Sequence, residues 1–117
     1  MAYASWTKGS AALLLAARAL AQAEGVQDSL LAEWSLSQPG LGGRSLGAAR
    51  SAAAKGWRWV GEMEEIAASM TSDGLPGGFH QAAGEVFRRS SSDAAETGGP
   101  GDAVIGAVLA ALLAGDA

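Results

Sequence analysis

Apolar positions along this chain recur at helical spacing and almost nowhere alternate as a strand would require. The pattern is clearest over 57–71, where Trp59, Met63, Ile66, Ala67 and Met70 fall at intervals that gather them on one face. Arg58 and Glu62 stand four apart with opposite sign, and Glu65 shares their polar side, which predicts a solvated face bearing an ion pair. Asp73-Gly74 ends this helix and Pro76 prevents its resumption. A further helix is predicted over 79–90, with Phe79, Ala83, Val86 and Phe87 turned to the core. Arg88 and Arg89 lie in its last turn, where cations suit the helix dipole.

The segment 2–23 carries Leu13, Leu14, Leu15 and Leu20, which point in several directions. A helix apolar all round is a buried one, so this helix is expected centrally or between two subunits. Gly25 supplies its stop. Residues 27–36 form a second helix with Asp28 in the first turn and Leu30, Leu31 and Trp34 on one face. Pro39-Gly40 and Gly42-Gly43 are expected to break the chain before a third helix over 45–55, capped by Ser45. After a connector over 90–101, Asp102 is read as the cap of a last helix over 103–114. That helix is apolar nearly all round and needs a partner surface.

Composition agrees with helix. Alanine is abundant, whereas Val, Ile and Thr are sparse, so the fold class is all-α, a compact bundle of five to six helices in one domain over 1–117. The net charge of −4, with eight Lys and Arg against twelve Asp and Glu, excludes the basic surface that nucleic acid requires. The chain has no cysteine, which removes disulfides, thiolate chemistry and Cys-ligated zinc and suits a cytoplasmic protein. Lys8 followed by the apolar run 11–17 imitates a secretory signal, but Arg18 interrupts it. The apolar tail 103–114 falls short of the roughly 20 residues that cross a bilayer.

Several chemical motifs are missing. Gly40-Leu41-Gly42 begins a dinucleotide fingerprint, yet position 45 is Ser and no strand precedes it, so this chain is not expected to bind NAD in the Rossmann manner. His80 is the single histidine and has no His or Cys companion for a metal. No G-x-S-x-G nucleophile elbow occurs. Glu62, Glu64 and Glu65 read as a solvated face rather than a catalytic carboxylate pair. Trp57 and Trp59 read as packing groups.

Three blocks carry more information than composition. The first is Met1-Ala2-Tyr3-Ala4-Ser5-Trp6-Thr7-Lys8-Gly9-Ser10 with the leucine run that follows. The second is Trp57-Arg58-Trp59-Val60-Gly61-Glu62-Met63-Glu64-Glu65-Ile66-Ala67. The third, looser, is Gly74-Leu75-Pro76, Phe79-His80, Ala83 and Glu85 to Arg89. In this order they resemble the C-terminal helical domain of one branch of the 6-phosphogluconate dehydrogenase-like, or β-hydroxyacid dehydrogenase-like, enzymes.

The resemblance implies a two-domain, NAD- or NADP-dependent oxidoreductase acting on a hydroxy acid or phosphorylated sugar acid. Its N-terminal Rossmann domain would hold the cofactor and is not part of this chain. The helical domain would complete the substrate site and a homodimer, and would be inactive alone. The family's catalytic Lys would fall immediately before Met1, so no catalytic residue is assigned within the sequence. The family's substrate-contacting Asn is replaced by Tyr3 or Ala4. On a helix continuing from that Lys, Tyr3, Ala4, Thr7 and Lys8 share one face. Two hydroxyls and an ammonium there would bind an anionic substrate by charge-assisted hydrogen bonds. Tyr3, Thr7, Lys8 and His80 are therefore the expected substrate-binding residues. The competing expectation is a standalone helical dimerisation or binding module without catalysis.

Overall fold

Five helices, and no strand, are found among the described residues of the computed structural model, which are 1–92 and 100–115. They are α1 (Ala2–Glu24), α2 (Gln27–Ser37), α3 (Leu41–Ser72), α4 (Gly78–Ser92) and α5 (Gly101–Ala114). The all-α expectation therefore holds. Most of the expected connector 90–101 lies outside the described residues. Gly25 (φ 74°) ends α1, with the Val26 N–H reaching back to the Ala21 carbonyl. Gly74 (φ 81°) follows α3, and the Leu75 N–H there reaches the Met70 carbonyl. Both glycines accept a left-handed conformation that a Cβ would penalise.

The expected third and fourth helices are one. α3 runs unbroken through Gly42, Gly43 and Gly56, and the chain turns earlier, over 38–40, where Gly40 has φ 90°. Glycine in a helix interior costs about 0.5–1 kcal/mol against alanine, so packing has to offset it. At Gly56 it does: an added Cβ would lie 3.0 Å from the Phe87 carbonyl oxygen, because α4 crosses α3 at that point. Gly56, which falls between the two expected helices, is a site of close helix approach.

Other expectations also change. Ser45 is not an N-cap but a buried residue inside α3, where Gly40 takes the cap position. Asp102 lies in the first turn of α5, and Pro100 precedes the helix. α1 is not buried all round: Ala12, Leu15, Ala19 and Ala21 pack inward while Trp6, Leu13 and Leu20 face outward. α5 needs no outside partner for most of its apolar surface, since Val104, Ile105, Val108, Leu109 and Leu112 are buried against the other helices. Phe79, expected in the core, is 75% exposed, whereas Phe87 is fully buried.

The core gathers Leu15 of α1, Met63 and Ile66 of α3, Phe87 of α4 and Leu109 of α5. Trp59 meets Phe87 edge to face at 5.1 Å between ring centroids. A buried polar knot ties the start of the chain together. The Arg18 guanidinium donates to Ser45 Oγ at 2.8 Å and to Gln27 Oε1 at 2.9 and 3.2 Å, so one side chain of α1 holds α2 and α3. Burial pushes this guanidinium below its ordinary value, and the charge of Asp102 opposes the shift.

Candidate functional site

α1 lies between two grooves. Along one flank, Thr7, Lys8, Ala11 and Leu14 face Arg44, Gly47, Ala48, Ser51 and Trp59 of α3 across an open volume of about 470 Å³. The Lys8 ammonium forms an ion pair with the Glu62 carboxylate and sits 5.3 Å from the centre of the Trp59 ring. Both charged side chains keep about a third of their surface in water, 29% for Lys8 and 37% for Glu62. A half-screened cation, steadied by a carboxylate and an aromatic face, keeps donor capacity for a second anion.

Glu62 therefore takes a partner other than the expected Arg58. The Arg58 guanidinium lies over the Trp57 ring, 5.3 Å from its centre, and both side chains stay at the surface.

The four expected substrate-binding residues do not form one cluster. Thr7 and Lys8 share the α1–α3 groove. Tyr3, one turn earlier, is 82% exposed and does not line it. His80 lines the other groove, between α1 and α4. There its Nε2 meets the Ser5 carbonyl oxygen at 3.0 Å. A carbonyl only accepts, so Nε2 carries a proton, and the buried Nδ1 has no hydrogen-bond partner among the described residues. The ring fits because Gly9 has no side chain: a Cβ there would come within 3.0 Å of Nε2.

Arg44 and Ser51 are the groove residues that sequence reasoning missed. They stand seven apart, two helical turns, so they share a face once the helix is started at Leu41. Treating Gly42-Gly43 as a break put Arg44 in a turn and hid the relation. Among the described residues, no group of three or more His, Asp or Glu could hold a metal ion, and no helix is long and apolar enough to cross a membrane.

From the middle of α4, Glu85 accepts from Arg88 Nε at 2.9 Å and from Arg89 Nε at 2.6 Å. Arg89 Nη1 also reaches the Leu112 carbonyl oxygen at 3.1 Å, near the end of α5. The hydrogen bond from Arg88, then that from Arg89, pull the Glu85 carboxyl from its ordinary 4.5 to about 2. A depressed carboxylate stabilises the fold above its unfolded value and loses that contribution as pH falls toward the folded value. Glu85→Gln should therefore lower Tm slightly at neutral pH, and the gap to wild type should close between pH 4.5 and 2, measured by thermal melts across that window. Surface exposure keeps the effect small.

No curated protein matches the chain, and no solved structure matches it. A family model described as "Domain of unknown function (DUF1932)" matches residues 21–90, which begin near the end of α1 and include α2, α3 and most of α4. Thr7 and Lys8 precede the matched stretch. Since the match spans more than half of the sequence, this chain belongs to the DUF1932 domain family.

Proposed function

We propose that this chain is the substrate-binding and dimerisation domain of an NAD(P)-dependent oxidoreductase that acts on a hydroxy acid or phosphorylated sugar acid. The observation that carries the proposal is the pairing of Thr7 and Lys8 with Arg44 and Ser51 around one groove. Two cations and two hydroxyls suit a carboxylate or phosphate, and Leu14 and Trp59 give the groove an apolar wall. The resemblance of the three sequence blocks and the DUF1932 match support the same reading.

The described residues contain no strand, so they build no strand, glycine turn and helix cradle for a dinucleotide. The proposal accordingly assigns NAD or NADP to a separate Rossmann domain, which supplies the hydride chemistry. In that assembly Lys8 and Arg44 orient the substrate's anionic group, Thr7 and Ser51 contribute hydrogen bonds, and Glu62 positions the Lys8 ammonium.

NMR titration of the chain with small 2- and 3-hydroxy acids and their phosphorylated relatives tests the groove. Shifts confined to Thr7, Lys8, Arg44, Ser51 and the Trp59 indole are expected. Shifts confined to the His80 groove, or none at millimolar ligand, would contradict it. A second reading, a standalone dimerisation module without catalysis, draws on the outward-facing Trp6, Leu13 and Leu20 of α1. The coding sequence just upstream separates the two: an in-frame dinucleotide-binding domain supports the enzyme, and a stop codon with a ribosome site supports the module.

A further inference from the structure

We infer that Glu62 sets the charge of the α1–α3 groove, so that the site takes a monoanionic acid with an apolar body and disfavours a phosphorylated sugar acid. This rests on the anion-binding groove of the proposed function and names both its substrate class and the residue that selects it.

Charge points to a monoanion. Lys8 and Arg44 line the groove, and among the described residues no Asp or Glu does. Glu62 lies about one turn beyond Trp59 on α3 and pairs with the Lys8 ammonium. Two cations and one carboxylate leave one net positive charge at the groove. A single carboxylate answers that charge. A phosphate monoester carries roughly two negative charges at neutral pH, and a phosphorylated sugar acid adds its carboxylate to them. Such a ligand would face the Glu62 carboxylate with negative charge left over. Repulsion of that kind, stronger in a partly desolvated site than in water, is how a site rejects the wrong partner.

The lining points to an apolar body. Ala11 and Leu14 of α1 and Ala48 and Trp59 of α3 make up much of the walls, and only Thr7 and Ser51 among the lining residues bring hydroxyls. The backbone adds little, because residues 7–14 and 44–59 lie within α1 and α3, where N–H and C=O groups bond to one another. A sugar acid carries a hydroxyl on nearly every carbon, and each one taken from water without a partner weakens binding. An alkyl body makes no such demand and gains by covering Leu14 and the Trp59 ring. That ring is held in place, edge to face with Phe87 and with the Lys8 ammonium 5.3 Å from its centre.

NMR titration of the full chain with 3-hydroxybutyrate, 3-hydroxyoctanoate and gluconate 6-phosphate tests the inference, with the Trp59 indole as reporter. Affinity is expected to rise about twofold or more with each added methylene, and gluconate 6-phosphate is expected to bind more weakly than 3-hydroxyoctanoate. Glu62→Gln, with unchanged far-UV circular dichroism, should lower the preference for 3-hydroxyoctanoate over gluconate 6-phosphate about tenfold. A Glu62 that only braced the fold would change both affinities alike. Tightest binding by gluconate 6-phosphate, or an unchanged preference in Glu62→Gln, overturns the inference and leaves the anion groove standing. Methylene-dependent shifts at His80 and Phe79 in place of Trp59 put the acid in the other groove and overturn it too. Binding of none of the three overturns the groove itself, and the inference with it.

Discussion

Phe87→Ala should destabilise the fold by about 3–5 kcal/mol, seen as a lower denaturant midpoint with little change in slope. The ring is fully buried, meets Trp59 edge to face at 5.1 Å, and occupies the place where α4 crosses α3 over Gly56. Its removal leaves a cavity that the surrounding helices cannot fill without giving up that crossing. Total stability for a domain of this kind is about 5–15 kcal/mol, so much of it rests on one side chain. Phe79→Ala, eight residues earlier on the same helix, should change stability of the isolated chain by no more than about 0.5 kcal/mol, because Phe79 is 75% exposed. Equal losses for the two would contradict the packing described.

That contrast shows where the sequence was legible. The repeat through Trp59, Met63, Ile66, Ala67 and Met70 identifies the buried face of α3 correctly, because one helix face against one core produces one periodic signal. Phe79 and Phe87 carry equal weight in such a pattern, yet Phe79 sits in the first turn of α4 at the edge of the packed layer. α1 misleads for a related reason. Its leucines are apolar on more than one side, and periodicity alone does not say whether an outward row meets solvent, a second copy or another domain.

Glycine was the other obscured signal. Gly42 and Gly43 read as punctuation, since glycine is a weak helix former, and Gly56 falls between the two expected helices. Tertiary contact overrides that preference where a side chain would collide, as at Gly56 against the Phe87 carbonyl. The site suffered from the same misreading, for Arg44 joins Lys8 only when α3 begins before it. The ion pair between Lys8 and Glu62 spans fifty-four positions in sequence, so no local rule finds it. The nearer Arg58 was the natural partner by spacing, and the surface of Trp57 claimed it instead.

Lys8→Ala should reduce kcat/KM of the assembled enzyme roughly 10- to 150-fold, the loss of about 1.5–3 kcal/mol that follows from deleting a hydrogen bond to a charged group. The stability of the chain should change far less, because the Lys8–Glu62 pair is partly solvated and such pairs contribute about 0–1 kcal/mol. This split separates a substrate contact from a structural one. Glu62→Gln should act in the same direction but more weakly, since it releases the ammonium without removing it. An unchanged kcat/KM for Lys8→Ala, with substrate turnover intact, would remove Lys8 from the site.

The most direct measurement joins this chain to a cognate dinucleotide-binding domain, with a lysine placed immediately before Met1, and follows NAD(P)H absorbance in the presence of hydroxy acids and phosphorylated sugar acids. The account predicts turnover of at least one anionic hydroxy acid, saturable in substrate and weakened by Lys8→Ala. A folded, cofactor-binding fusion that oxidises or reduces none of them would contradict it.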